Sequence, residues 1–173
     1  MRRRGPIHAA TLAALALFGM GANAVAAPGN WDHEANVKDA ATRLVILHRR
    51  QGSDAVMKFL DACYRTHSLA SEFTQGLEAC MAQDYMHTRA LTLIYSRLPA
   101  ERMQNVGAPT AQGIAAALNA RFVNYFTQYK VTVADADDFK KIVERVGVPI
   151  FFQGVFPKSQ APAAPSPNLP EGR

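Results

Sequence analysis

No stretch of this 173-residue sequence alternates apolar and polar residues in the two-residue period of a strand, and none repeats at a fixed interval. A sheet and a solenoid are therefore not expected. Gly52, Gly76, Gly107 and Gly113 stand alone, so there is no glycine-rich loop to cradle a phosphate. No G-x-S-x-G turn is present to raise a serine nucleophile. Past the first residues, no segment holds the ~20 apolar residues needed to span a bilayer. Arg49-Arg50 and Lys140-Lys141 are the adjacent basic pairs of the body of the chain. They read as solvated helix faces and fall short of the clustered cationic face that nucleic acid requires.

Both ends are set apart by composition. Residues 1–26 open on Arg2, Arg3 and Arg4, run apolar from about Ala9 to Met20 and close on Ala24-Val25-Ala26, the form of a secretory signal peptide. No cysteine stands at the cleavage region, so export as a periplasmic or secreted protein is expected without a lipid anchor. Loss of the three arginines, with no acid lost beside them, takes the formal charge from +5 to +2. Residues 157–173 contain five prolines and no aromatic, and such a segment buries too little surface to offset its ordering entropy. A disordered tail is expected there, leaving 27–156 as one domain.

That domain reads as all-α. Apolar residues three and four apart define a first helix from Asp32 to Arg50, ended by Gly52, and a second from Asp54 to His67, capped by Ser53. A third, Ser71 to Leu98, carries Phe73, Leu77, Cys80, Asp84, His87, Leu91, Ile94 and Leu98 in alternating steps of four and three, the seam of packed antiparallel helices. A fourth spans Thr110 to Tyr129. A short fifth is expected to be capped by Asp135 and closed by Gly147. Pro149 and Gly154 predict an extended strap over Val148 to Phe156. The expected architecture is a small helical bundle around a stapled hairpin, closed by that strap.

Cys63 and Cys80 are the chain's two cysteines, and exported thiols pair. A bond between them puts the hairpin turn near Ser71 and Glu72, where the helical pattern independently places it. Sixteen residues separate them, unlike the two-residue spacing of a thiol exchange site, so a structural disulfide is expected. Asp84 and His87 are the polar members of an apolar seam. One reading makes Asp84 a buried acceptor that fixes the hairpin register by bonding Tyr64, an arginine or free amides. The other joins Asp84 and His87, one turn apart, to His48 as an imidazole and carboxylate set suited to zinc, although the second motif and added glutamates of a di-iron bundle are missing. Glu78 and Asp84, six residues apart, point to different sides and cannot work as an acid and base pair without a substrate between helices.

Phe122, Tyr125, Phe126 and Tyr129, with Phe151 and Phe152 of the strap, are either core or a surface for a protein or apolar ligand. A non-catalytic binding or interaction module of the cell envelope is the expected function, with no cofactor and no nucleic acid. A metal-dependent enzyme or metal-binding protein built on Asp84, His87 and His48 is the alternative.

Overall fold

The computed structural model describes residues 29–99, 101, 105 and 107–156. The expected signal peptide and Pro-rich tail lie outside these residues. All regular elements among the described residues are helical, as the apolar spacing predicts: α1 (His33–His67), α2 (Gln75–Tyr95), α3 (Ala111–Gln128), α4 (Val133–Ile142), a π-helical turn (Val143–Gly147) and α5 (Val148–Val155). No helix among them is long and apolar enough to cross a membrane.

Asp32 caps α1 through its carboxylate, which accepts from the Ala35 amide at 3.0 Å. The first two expected helices run into one another as the two arms of α1, joined at Gly52. Gly52 has φ +78° and ψ −176°, a conformation that only glycine adopts without strain, and a Cβ there would meet no atom within 4 Å. Backbone conformation, not space, is thus what the joint asks of this residue. The Ser53 hydroxyl, expected as a cap, faces the His87 ring instead.

Thr74 caps α2 by accepting from the Leu77 amide at 3.1 Å, so this helix starts four residues later than Ser71. Leu77 to Asp84 are buried without a break, which makes α2 the central rod of the bundle. The far end of its expected seam is not buried: Ile94 and Leu98 are exposed. Their antiparallel partner, the second arm of α1, starts at the Gly52 joint, so the seam positions past Leu91 lose it.

Thr110 caps α3, whose last turn closes through bonds from Lys130 N to Thr127 O and from Val131 N to Phe126 O. This is a Schellman end with Lys130 in the left-handed position at φ +54°. A side chain is disfavoured there, so Lys130→Gly is expected to raise the unfolding free energy by about 0.5–1 kcal/mol in urea titration. No change or a loss would mean that the lysine side chain contributes more than its backbone costs.

Three expectations for the C-terminal third are corrected. Thr132, not Asp135, caps α4: its hydroxyl accepts from the Asp135 amide at 3.1 Å and donates to the Asp135 carboxylate at 2.6 Å, so Asp135 orients the cap. The strap is helical, not extended, and Gly147 does not end the preceding helix. Buried Phe139, Val143, Gly147 and Phe151 recur every four residues. Each step of four drifts by about 40° around a helix of 3.6 residues per turn, so α geometry alone cannot keep all four inward. The wide turn at Val143–Gly147 absorbs one residue and restores the face. Pro149 follows directly on this turn within a backbone that stays helical through Gly147 and Val148, so its missing N–H falls where the four-residue hydrogen-bond ladder is already interrupted.

Gly147 and Gly154 prove to be close-approach residues. A Cβ on Gly147 would lie 2.9 Å from Met86 Sδ and 3.0 Å from Val37 Cγ1; one on Gly154 would lie 2.5 Å from Val45 Cγ1. Valine has few rotamers with which to yield. Gly154→Ala is therefore expected to cost about 1–3 kcal/mol, read as an earlier urea midpoint at an unchanged slope. A variant as stable as wild type would show that α5 can lift off α1 freely.

Candidate functional site

Cys63 on the second arm of α1 and Cys80 on α2 are bonded, with Cα atoms 5.8 Å apart. Cys80 is fully buried and Cys63 half-buried. One helical turn beyond Cys63, at the last residue of α1, the His67 imidazole rests on Gly76 in the first turn of α2. A Cβ at Gly76 would stand 2.4 Å from His67 Nδ1. Between the two arms of α1, with α2 as its floor, runs a groove of about 680 Å³. Asn36, Asp39 and Arg43 line one wall, Phe59, Ala62 and Cys63 the other.

Asp84 lies deeper, 4% exposed, and its carboxylate is filled by donors from three helices. Tyr64 Oη of α1 donates at 2.9 Å, Arg121 of α3 donates through Nε and Nη2 at 2.9 Å each, and Thr88 Oγ1 of α2 donates at 3.2 Å. Burial, then the neighbouring Asp84 charge, pushes the Tyr64 hydroxyl far above its ordinary range. A carboxylate so occupied has no lone pair directed at a metal, and Asp84, His87 and His48 do not gather their ligand atoms. Among the described residues the group that does is Cys63, His67 and Cys80, all within 4.8 Å of one another.

His87 is 2% exposed. Its Nε2 lies 3.3 Å from Ser53 Oγ, while Nδ1 has no hydrogen-bond partner among the described residues. Its ring centroid is 6.4 Å from that of His48, which meets the Phe151 ring edge-on at 5.8 Å. Burial, with the His48 charge acting in the same direction, lowers the His87 pKa from 6.5 to about 4. It is thus a neutral imidazole at ordinary pH, set beside the Gly52 joint.

A second buried carboxylate escapes sequence reading. Glu78, 1% exposed, accepts from Trp31 Nε1 and from Asn36 Nδ2 at 2.9 Å, and lies 2.6 Å from His33 Nδ1. Asn36 Nδ2 also reaches the Gln75 carbonyl. These bonds tie the start of α1 to the start of α2 across 39 to 47 residues of sequence. A smaller cavity of about 250 Å³ lies alongside, walled by Phe73, Phe126 and Phe139 with Asp135 at its edge. The one sequence signal was the single tryptophan two residues before a histidine, and neither names a partner so distant.

The aromatic residues are mostly spent inside. Phe122, Phe126 and Phe151 are buried, and Phe122 and Phe126 pack on Phe139 of α4. Tyr125 stacks on Tyr64 at 5.0 Å, and Tyr129 donates to the Ser68 carbonyl at 2.8 Å. Phe152 lies between Phe151 and Phe156. Tyr125, Tyr129 and Phe152 are half-buried and pack against the core.

Compared with protein-family models, with curated proteins and with solved structures, the chain has no match.

Proposed function

We propose that this chain is an exported, non-catalytic binding module of the cell envelope, and that the groove between the arms of α1 receives a segment of a partner protein. The observation that carries the reading is the groove itself. Its 680 Å³ is of the size of a ligand site, and its walls combine an apolar side with a polar side, as a peptide with one face of each kind requires. Phe59 is 38% exposed on the apolar wall. The buried carboxylates argue in the same direction: Asp84 is filled by structural donors, and Glu78, on the wall of the smaller cavity, is already bonded to Trp31 and Asn36 and in contact with His33. Export rests on the composition of residues 1–26, and the mature protein should begin between Val25 and Pro28.

Photo-crosslinking in the native host tests the reading. A crosslinking residue in place of Ala62, on the groove wall, is expected to capture a discrete protein adduct; one in place of Val123, exposed on α3 outside the groove, is not. Identical adducts from both positions, or none from Ala62, would remove the groove as a binding site. Capture in the cytoplasm with residues 1–26 retained would remove export.

A further inference from the structure

We infer that Cys63, His67 and Cys80 constitute a redox-gated metal site: once the disulfide is reduced, the two thiolates and the imidazole hold one zinc ion whose fourth position opens to the groove. Their ligand atoms already lie within 4.8 Å of one another. A tetrahedral ion with bonds of ~2.3 Å to sulfur sets its two thiolates about 3.7 Å apart. Cysteines with Cα atoms 5.8 Å apart reach that separation by rotating their side chains. The ligand spacing is what a helix demands, because Cys63 and His67 are four residues apart and share one face of α1. Gly76 supplies an independent observation. The His67 ring occupies the volume that any side chain at Gly76 would take, so it is held over the sulfur pair by the first turn of α2. Access is also provided, since Cys63 and His67 line the groove while Cys80 is anchored at 0% exposure. Three protein ligands and one open position form the set that admits water or a donor from a bound partner.

The chemistry needs one co-reactant, a small dithiol reductant. It passes two electrons and two protons to the disulfide, giving two thiols, and becomes a disulfide itself. Zinc then displaces the two thiol protons. The link between α1 and α2 is thereby exchanged, metal for covalent bond, with the hairpin kept. The inference is independent of what fills the groove, because the ion binds without a partner.

The test uses the mature protein, reduced by a dithiol without oxygen, freed of reductant and titrated with zinc against a coloured chelator. Cobalt(II) serves as a spectroscopic probe of thiolate ligation. Reduced wild type is expected to take one equivalent and to show thiolate-to-cobalt charge transfer, while the oxidised protein takes none. His67→Ala, which leaves the disulfide and hence the oxidised fold in place, should weaken binding by about tenfold or more. Gly76→Ala, which evicts the ring, should act in the same direction, and His48→Ala should bind as wild type does. Three results would overturn the inference: no equivalent bound by reduced wild type, undiminished affinity in His67→Ala, or a reduced chain that loses its helical circular dichroism and does not regain it with zinc.

Discussion

Arg121→Met is expected to lower the unfolding free energy by about 3–4 kcal/mol, and adding Asp84→Leu to that variant is expected to restore part of the loss. The asymmetry follows from where the two partners sit. Asp84 is almost entirely buried, whereas the Arg121 side chain is 43% exposed. Without the guanidinium, the carboxylate keeps only Tyr64 and Thr88 and remains a charge out of water. Without the carboxylate, the guanidinium swings into solvent and loses little. Asp84→Leu alone should therefore cost about 2 kcal/mol, arising from the unpaired Tyr64 and Thr88 hydroxyls more than from the lost ion pair, which solvent screens at the Arg121 end. Urea unfolding of the two single variants and the double variant closes the cycle. Additive losses, with the double variant less stable than Arg121→Met, would mean that Asp84 is not a buried charge in need of its partner.

The pH dependence of stability should carry the mark of His87. Its pKa is lowered to about 4 in the folded chain, against about 6.5 when unfolded. Between these values the unfolded chain binds a proton that the folded chain refuses, so stability falls with acidification across that window and changes little outside it on this account. The groups that face the ring are His48 of α1, Ser53 at the joint and Asp84 on its own helix. From about pH 7 to about pH 4.5, wild type is expected to lose roughly 2–3 kcal/mol more than His87→Gln, which keeps a polar contact for Ser53 and removes the titration. Equal acid sensitivity in the two proteins would assign the loss to the carboxylates instead.

Much of the fold could be read from spacing because the elements that decide it are local. Three- and four-residue steps marked α1, α2 and α3, and Thr110 and Asp32 stand where helix starts need a side-chain acceptor. The staple followed from two cysteines and the midpoint between them. Asp84 stood out in its seam, but its principal partner, Arg121, is 37 residues away on a helix whose rotation about its axis no local pattern states. The Glu78 cluster was missed for the same reason, since Trp31, His33 and Asn36 meet it only after the hairpin has folded back. Gly147, Pro149 and Gly154 misled in another way. Each breaks a helix in isolation, yet here two are small so that helices can touch and the third follows directly on the wide turn, where the ladder of bonds is already interrupted. The strict four-residue recurrence from Phe139 to Phe151 was the available clue to a wide turn. The grouping of His67 with the cysteines was half legible, since Cys63 and His67 are four residues apart on one helical face, but no spacing states that Gly76 leaves the room the ring occupies.

The wide turn at Val143–Gly147 also has a bearing on how this chain can change length. Removing one residue from an ordinary helix swings everything beyond it by about 100° and strands its buried face in water. Here the surplus residue is already stored as a bulge, so a deletion within 143–147 would let the turn tighten to α geometry while Phe139 upstream and Phe151 downstream keep facing inward. Between α4 and α5 the backbone thus carries slack of one residue, and this is the point in the bundle where descendants of the sequence can lose a codon without losing the core.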